Sequence, residues 1–201
     1  MPKLLLIRHG TTKLHANDRF WGKTDIPLSD IGIEQARQLQ SRLAAEEIST
    51  FFASPLSRAL ATAEIIAAGH KAKITTCDEL VECNFGYAEG LTFKEIEKLY
   101  PALATELASW KAVSFPGGET LEQLHERVKT FIKRLDTLQP NDTVAIVSHG
   151  GPLRLLVCLL LGIDIKHWQQ IRVDRGSLSI VETYPQTAII TLLNDVSHLK
   201  S

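Results

Sequence analysis

The chain has 201 residues, of which 44% are hydrophobic and 22% are charged. These are ordinary globular values, so they exclude a disordered chain and a fibrous repeat, and the length favours a single domain over residues 1–201. The 22 Lys and Arg residues and the 23 Asp and Glu residues give a net charge of -1. No overall positive field is therefore available to attract nucleic acid or an anionic membrane.

The three cysteines contain no CxxC pair, so neither a disulfide framework nor a zinc knuckle is indicated. The apolar run at residues 4–7 is too short for a signal-peptide core, and the longest other run, Leu155–Leu161, is too short to span a bilayer. We therefore expect a reduced, cytoplasmic protein without membrane or nucleic-acid partners. The sequence leaves the oligomeric state, monomer or homodimer, open.

Strand and helix patterns alternate along the chain. Short apolar runs that are typical of strands buried in a parallel sheet occur at residues 4–7, 51–53 and 144–147, and residues 73–76 can form another short strand. Helical spacing, capping residues and prolines predict helices that begin after Ser29, at Pro55, at Thr92 (through 112), after a Thr120–Gln123 capping box, and at Pro152. Near the C-terminus, residues 178–181 and 188–193 predict a hairpin or a sheet edge.

This alternation predicts an α/β fold. We expect a three-layer α/β/α sandwich with a mostly parallel central sheet and one antiparallel edge strand. The helical excursion at about residues 79–140 would form a small cap over one end of the sheet. Phe20, Trp21 and Phe85 are interpreted as aromatic packing under a loop rather than as walls of a substrate pocket.

A cation or an imidazole follows each of three predicted strands. Arg8 and His9 come after the first strand, Arg58 comes shortly after the second, and His149 comes after the strand at 144–147. Ligands of open α/β sheets bind beyond the carboxyl ends of the strands, so we expect these side chains to meet there. Guanidinium groups match phosphate oxygens in geometry and charge, which makes a phosphoryl group the expected occupant.

The helix starts near Pro55 and Pro152 would add free backbone amides to such an anion site. No HxxxH, DxD or P-loop pattern occurs, so neither a metal nor a cofactor is expected. A metal-free phosphoryl transfer needs its own nucleophile. An imidazole is neutral and nucleophilic near pH 7, whereas Ser57 or Ser148 would need a separate base, so His9 is the candidate nucleophile.

The alkoxide that leaves in such a reaction needs a proton, which a carboxylic acid can supply. Glu79 and Glu82 both follow the predicted strand at 73–76. Their spacing alone does not choose between them.

Five motifs, in order along nearly the whole chain, resemble the histidine phosphatase superfamily, which is also called phosphoglycerate mutase-like. They are Arg8-His9-Gly10; Ser54 to Ala59 with Arg58; Glu82 ahead of Asn84-Phe85-Gly86 and Glu89-Gly90; Pro116-Gly117-Gly118-Glu119; and Ser148-His149-Gly150-Gly151. The resemblance implies that His9 is phosphorylated, that Arg8, Arg58 and His149 bind the phosphate, and that Glu82 is the proton donor and later the base for water.

The opening motif departs from the family pattern at two positions. Thr11 stands where an acidic residue often follows the glycine, and His15 stands where the family has Asn. Both residues, together with Gly150, are candidate substrate contacts.

The resemblance implies a phosphatase that acts on a small-molecule phosphomonoester. The middle of the chain is shorter than in the mutases of the superfamily, which carry extra basic residues there. Residues 176–182 and 193–199 are similar to the corresponding segments of α-ribazole phosphatases, which implies α-ribazole 5'-phosphate as a substrate. Two alternatives stay open, a cofactor-dependent phosphoglycerate mutase and a non-catalytic module that binds phosphorylated ligands.

Overall fold

The computed structural model describes residues 2–14, 19–109 and 114–199. Within these ranges there are six strands: β1 (Lys3–Arg8), β2 (Ile48–Ala53), β3 (Lys73–Thr76), β4 (Thr143–Ser148), β5 (Leu178–Tyr184) and β6 (Thr187–Asp195). The same ranges contain six α-helices: α1 (Asp30–Leu43), α2 (Ser57–Ala67), α3 (Phe93–Leu99), α4 (Pro101–Ala108), α5 (Leu121–Leu135) and α6 (Gly150–Leu161). Short 3-10 turns cover Asp78–Leu80, Gly86–Ala88 and Ile165–Gln170.

The strands form one sheet in the order β3-β2-β4-β1-β5-β6. The first four strands along the chain pair in parallel, whereas β5 runs antiparallel to both β1 and β6. This mostly parallel sheet with antiparallel pairing on one side confirms the predicted fold class. The predicted hairpin is confirmed as well, since β5 and β6 are consecutive and antiparallel.

Each face of the sheet is covered by its own helices. Successive residues of a strand point to opposite faces, and in β1 this places Leu5 and Ile7 in a core with residues of α1 and α2. Leu4 and Leu6 lie in the other core, which α5 and α6 complete. All four side chains are at most 2% exposed. The result is the predicted three-layer sandwich.

Several helix boundaries agree with the sequence patterns. The Ser29 hydroxyl accepts a hydrogen bond from the Gly32 amide at the start of α1, and Thr120 with Gln123 forms the predicted capping box of α5. These side chains satisfy backbone amides that have no partner inside the helix, which is why they begin helices.

The prediction that α2 begins at Pro55 is wrong by two residues. The helix begins at Ser57, and Leu56 in the capping position supplies no side-chain bond. The Ser57 amide and hydroxyl instead bind the Asp25 carboxylate at 2.8 and 2.7 Å. A residue distant in sequence therefore caps this helix.

The single helix predicted from Thr92 is divided in two. Its start is confirmed, because Thr92 caps α3 in a second capping box. Tyr100 leaves helical geometry, and Pro101 begins α4, as expected from the clash between a proline ring and the preceding turn. Residues 110–112 of the predicted helix lie outside the described residues.

The segment predicted as a cap has two parts with different packing. α5 belongs to the helical layer over the sheet, where Phe131 packs edge-on against Phe52 of β2 at 5.5 Å between ring centroids. α3 and α4 contact each other and line the cavity described below through Phe93 and Leu107. The cap itself, like the single-domain organisation, stays a prediction. No helix within the described ranges has the length and apolar character needed to cross a bilayer.

Candidate active site

The sheet order brings three strand ends side by side, because β4 lies between β1 and β2. Just beyond these ends, the His9 amide donates to the Ser148 carbonyl at 3.1 Å, and the Ser54 amide donates to the Val147 carbonyl at 3.0 Å. The rings of His9 and His149 lie 5.0 Å apart between centroids. The structure therefore places the two sequence-predicted histidines in one cluster.

His9 is held as a neutral imidazole with one free nitrogen. Its side chain is buried, and Nδ1 lies 2.7 Å from the carbonyl oxygen of Gly10. A carbonyl oxygen only accepts, so Nδ1 carries the proton and Nε2 keeps its lone pair. Burial, followed by the charges of Arg8 and Arg58, holds the pKa of His9 well below its usual range. The ring is therefore neutral at pH 7, and Nε2 has the lone pair that a nucleophile needs.

His149 is fully buried behind His9, and both of its ring nitrogens contact protein groups. Arg58 Nε donates to Nδ1 at 3.3 Å. Nε2 must then carry the proton, which it donates to the Ser54 hydroxyl at 2.8 Å. Burial, then the neighbouring His9 and Arg58, keeps the pKa of His149 well below its usual range. In this structure, the ring fixes the arginine and does not itself line the cavity.

Arg58 links the cluster to the loop that follows β1. It is 2% exposed, and beyond its bond to His149 it donates to the carbonyl oxygens of Thr24 at 2.9 Å and Gly22 at 2.6 Å. Its guanidinium also lines the cavity beside His9. These bonds fix the orientation of a cation next to the candidate nucleophile.

Arg8 supplies the second cation of the cluster. Its Nη1 donates to the Val173 carbonyl at 2.7 Å, while Nε is buried without a hydrogen-bond partner among the described residues. Burial lowers the pKa of Arg8 to about 10, which still leaves the guanidinium charged at pH 7. A buried donor of this kind is expensive to leave unpaired, and an anion in the cavity would satisfy it.

Glu82 projects into the same cavity from the segment after β3. The side chain is buried, and its Oε1 accepts hydrogen bonds from the Cys83 amide at 2.9 Å and from the Gly151 amide at 3.1 Å. Glu79 has a different environment, because it forms an ion pair with Arg134 at 2.8 Å. The spacing in the sequence did not choose between these two acids, but the structure does: Glu82 lines the same cavity as His9, and Glu79 does not.

Arg127 on α5 holds the segment that carries Glu82. Its Nη1 donates to the Val81 carbonyl at 2.7 Å, and its Nε and Nη2 contact the two carboxylate oxygens of Glu119 at 2.9 and 3.0 Å. Glu119 in turn accepts a bond from the Asn84 amide at 2.8 Å. The backbone is therefore fixed on both sides of Glu82.

A cavity of about 420 Å³ opens beside His9 and Glu82. Its basic lining residues are Arg8, Arg19, Arg58, Arg154 and Arg175, and its aromatic lining residues are Phe20, Trp21, Phe85, Phe93, Phe115 and Trp168. The interpretation of Phe20, Trp21 and Phe85 as loop packing alone is therefore wrong. Phe85 does pack edge-on against Phe20 and Phe115, but one side of this aromatic group faces the cavity.

The three candidate substrate contacts differ in their position relative to the cavity. Gly150 lines the cavity. Thr11 is turned toward α1, where its amide donates to the Gln35 side chain at 2.8 Å and its carbonyl accepts from Ser29. Among the described residues of this loop it is Thr12, not Thr11, that lines the cavity. His15 lies outside the described residues.

The two predicted helix starts are already bonded to carboxylates of this chain. The Ser57 amide binds Asp25, and the Gly151 amide binds Glu82. The positive end of α6 therefore acts on the candidate acid. Within the described parts of the chain, no group of three or more His, Cys, Asp and Glu side chains is arranged to hold a metal ion.

The sequence patterns missed Arg154, Arg175 and Arg127. Arg154 could have been noticed as the one charged residue in the otherwise apolar helix α6. Arg175 and Arg127 carry no local signal, because their positions at the site depend on packing between distant segments.

Comparisons with known proteins agree with this geometry. A family model described as histidine phosphatase superfamily (branch 1) matches residues 4–196. Phosphoserine phosphatase 1 of Hydrogenobacter thermophilus is 32% identical over 99% of this chain and 95% of its own. Adenosylcobalamin/alpha-ribazole phosphatase of Escherichia coli is 30% identical over 96% and 95% of the two chains. The solved structure of Bacillus stearothermophilus YhfR is similar with a TM-score of 0.91, at 29% identity and 100% coverage of both chains.

The mixed sheet, the buried histidine pair at its strand ends and these matches together define a phosphatase. The chain belongs to the histidine phosphatase superfamily, and it is a phosphoric monoester hydrolase.

Proposed function

We propose that the protein is a metal-independent phosphomonoesterase that acts on a small phosphorylated metabolite through a phosphohistidine at His9. The bond between His9 Nδ1 and the Gly10 carbonyl, at 2.7 Å, carries this proposal. It leaves Nε2 unprotonated in a cavity that Arg8, Arg58 and Glu82 also line. A nucleophile, two cations and a carboxyl group are the parts that metal-free phosphoryl transfer needs.

In the first step, the phosphate dianion binds against Arg8 and Arg58, and His9 Nε2 attacks phosphorus. The bond between phosphorus and the ester oxygen breaks as the bond to nitrogen forms. Protonated Glu82 gives its proton to the leaving alkoxide. The two guanidinium groups stabilise the charge that spreads over the phosphoryl oxygens.

In the second step, water replaces the alcohol. Glu82, now a carboxylate, takes a proton from the water as its oxygen attacks phosphorus, and the bond between phosphorus and nitrogen breaks. Inorganic phosphate leaves, while His9 is neutral and Glu82 is protonated again. Glu82 thus acts first as an acid and then as a base, in accordance with microscopic reversibility.

Rapid-quench trapping tests the covalent step. With a phosphomonoester labelled in its phosphoryl group, we expect protein-bound label that is acid-labile and base-stable, present with EDTA and absent in His9→Ala. Active turnover without any bound label would contradict the proposal. Release of inorganic phosphate, rather than an isomerised ester, distinguishes the phosphatase from a mutase, and turnover of any kind excludes a module that only binds.

The role of Glu82 is tested with two leaving groups. p-Nitrophenolate leaves without a proton, whereas an alkoxide requires one. Glu82→Gln should therefore lose most of its activity on an alkyl phosphate and much less on p-nitrophenyl phosphate. Equal losses on both substrates would argue against general acid catalysis.

We further propose that α3 and α4 form the cap that selects the alcohol half of the substrate, because Phe93 and Leu107 face the cavity from these helices. Relatives are named for α-ribazole and for phosphoserine, and the similarity of the C-terminal segments to α-ribazole phosphatases implies α-ribazole 5'-phosphate as one candidate substrate. A panel of phosphomonoesters that contains both compounds tests this prediction by their kcat/KM values.

A further inference from the structure

Two cavity-lining arginines have no role in the proposed reaction. Arg154 extends from α6, and Arg175 precedes β5. The positive charges of both residues act to lower the pKa of Arg8, so both lie near the cation that receives the phosphate. Trp168 and Gln169 line the same cavity.

Arg175 has no bonded partner in the described parts of the chain. The nearest acid in sequence, Asp174, is already occupied, because Arg172 Nε contacts it at 2.8 Å and the Asn194 side chain donates to it at 2.9 Å. The Arg175 guanidinium is only partly exposed. Its charge is therefore uncompensated by any ion pair while it faces the cavity.

Arg154 is held in place on one side only. Its Nε donates to the Ile171 carbonyl at 2.8 Å, and its guanidinium lies over the Trp168 ring at 5.8 Å from the centroid. The indole Nε1 of Trp168 is a buried donor without a partner among the described residues. The cavity lining thus includes two cations beyond Arg8, Arg19 and Arg58, and a tryptophan whose buried indole donor has no partner among the described residues.

The charges of the cavity do not balance with a phosphate alone. Arg19 is neutralised by Glu95 at 2.8 Å, and a phosphate dianion offsets Arg8 and Arg58. Of the cavity-lining residues in the described ranges, Glu82 is the one acid, and it is uncharged when it acts as proton donor. The charge of Asp174 acts on Arg154 from nearby, but no ion pair within the described ranges neutralises Arg154 or Arg175, and unpaired charge is unfavourable in a partly desolvated pocket.

We propose that Arg154 and Arg175 form a second anion subsite, so that the preferred substrates are phosphomonoesters whose alcohol half carries another anionic group. A carboxylate and a second phosphate share the required chemistry. This inference rests on the proposed phosphatase reaction and specifies its substrate class. It predicts that α-ribazole 5'-phosphate, which lacks a second anionic group, is a poor substrate.

Matched substrates test the subsite. 3-Phosphoglycerate and glycerol 3-phosphate differ by a carboxylate in place of a hydroxymethyl group, and fructose 1,6-bisphosphate and fructose 6-phosphate differ by a phosphate. We expect wild-type kcat/KM to be about 10- to 100-fold higher for the doubly anionic member of at least one pair, the usual effect of a charge-assisted hydrogen bond. The pair that shows the preference identifies the group.

Arg175→Gln is the informative variant, because Arg175 has no hydrogen bond or ion pair to lose among the described residues. It should abolish that preference, chiefly by raising KM for the doubly anionic ester, and change kcat/KM for the singly anionic ester less than about twofold. Arg175→Lys should retain part of the preference. Arg37→Gln is the matched control, since Arg37 is exposed, pairs with Glu34 at 3.5 Å and does not line this cavity, and it should preserve the preference.

Equal losses on both members of each pair, or no wild-type preference in either pair, would overturn the subsite. Failure of the proposed reaction is recognised separately, because then neither bound label nor turnover occurs with any ester. Even in that case, the subsite can be tested by calorimetry. The affinities of both members of each ligand pair are measured for His9→Ala and for the double variant His9→Ala/Arg175→Gln. Equal affinities of the paired ligands for His9→Ala would refute it.

Discussion

The Gly151 amide lies 3.1 Å from Oε1 of Glu82, and a Cβ atom at position 151 would lie 2.6 Å from the same oxygen. The first turn of α6 therefore touches the candidate acid so closely that any side chain at position 151 would require the Glu82 carboxyl group to move. The amide donor and the missing Cβ together fix where this carboxyl group stands relative to His9.

Gly151→Ala should displace Glu82 and impair proton donation to the leaving group. Because general acid catalysis contributes about 100- to 10,000-fold, we expect at least about a tenfold loss of kcat on an alkyl phosphate and a smaller loss on p-nitrophenyl phosphate. Gly69→Ala is the matched control, since its Cβ would meet its nearest neighbours at an ordinary 3.7 Å. Unchanged activity of Gly151→Ala on alkyl phosphates would show that Glu82 tolerates the shift.

Arg127→Met should also impair proton donation by Glu82, because Arg127 holds the backbone segment that carries this residue. Removing the guanidinium leaves the Val81 carbonyl without this donor and the Glu119 carboxylate with the backbone amide of Asn84 as its remaining donor, which should lower the free energy of unfolding by about 1–3 kcal/mol. The loosened segment should again lose more activity on alkyl phosphates than on p-nitrophenyl phosphate.

Arg127→Lys should restore part of that alkyl phosphate activity, because one donor remains. Arg134→Met is the control, since Arg134 also lies on α5 and pairs with Glu79 at 2.8 Å. Chemical denaturation and the two-substrate assay measure both effects. A loss of stability with an unaltered ratio of the two activities would mean that Arg127 supports the fold without positioning Glu82.

The rate of phosphohistidine formation should not change with the titration of a histidine near pH 6.5. A model imidazole is half protonated there, but burial and the charges of Arg8 and Arg58 hold the pKa of His9 well below that value. A lowered pKa keeps the ring neutral to lower pH, so the single-turnover rate with p-nitrophenyl phosphate should not fall through a midpoint at 6.5. A midpoint near that value, assigned to His9 by its titration in NMR spectra, would contradict this expectation.

The cysteines should be unreactive in the native protein. All three are buried, and burial raises the pKa of Cys77 and of Cys158 to about 11 and that of Cys83 further still. Thiolate is the reactive form, so at pH 8 Ellman's reagent should find no rapidly reacting thiol until the chain is unfolded. Iodoacetamide should leave activity intact, although Cys83 lines the cavity. Rapid inactivation would show an accessible thiolate.

Much of the fold follows from local patterns. Apolar runs such as that in β1 are buried on both faces, and this requires helices on both sides of the sheet. Arg8, His9 and His149 were found from sequence because each directly follows such a run, and the ends of adjacent parallel strands must lie together. Capping residues such as Ser29 located helix starts because their side chains bond backbone amides only a few positions away.

Other features depend on contacts between distant segments. Asp25 caps α2 and moves its start from Pro55 to Ser57, which no pattern near Pro55 could indicate. In the loop after β1, Thr11 turns toward α1, so the adjacent Thr12 faces the cavity instead.

The sequence by itself determined the layered architecture and identified His9 as the candidate nucleophile with its nearest cations, since these follow from hydrophobic periodicity and from residues next to strand ends. Only the tertiary structure decided which acid enters the cavity, by pairing Glu79 with Arg134 and Glu82 with the start of α6. It alone also brought Arg154 and Arg175 to the same cavity. The physical reason is the sequence distance between the interacting residues. Backbone propensity and strand burial depend on neighbouring residues, whereas the partner of a charged side chain depends on which distant segments the completed fold packs beside it.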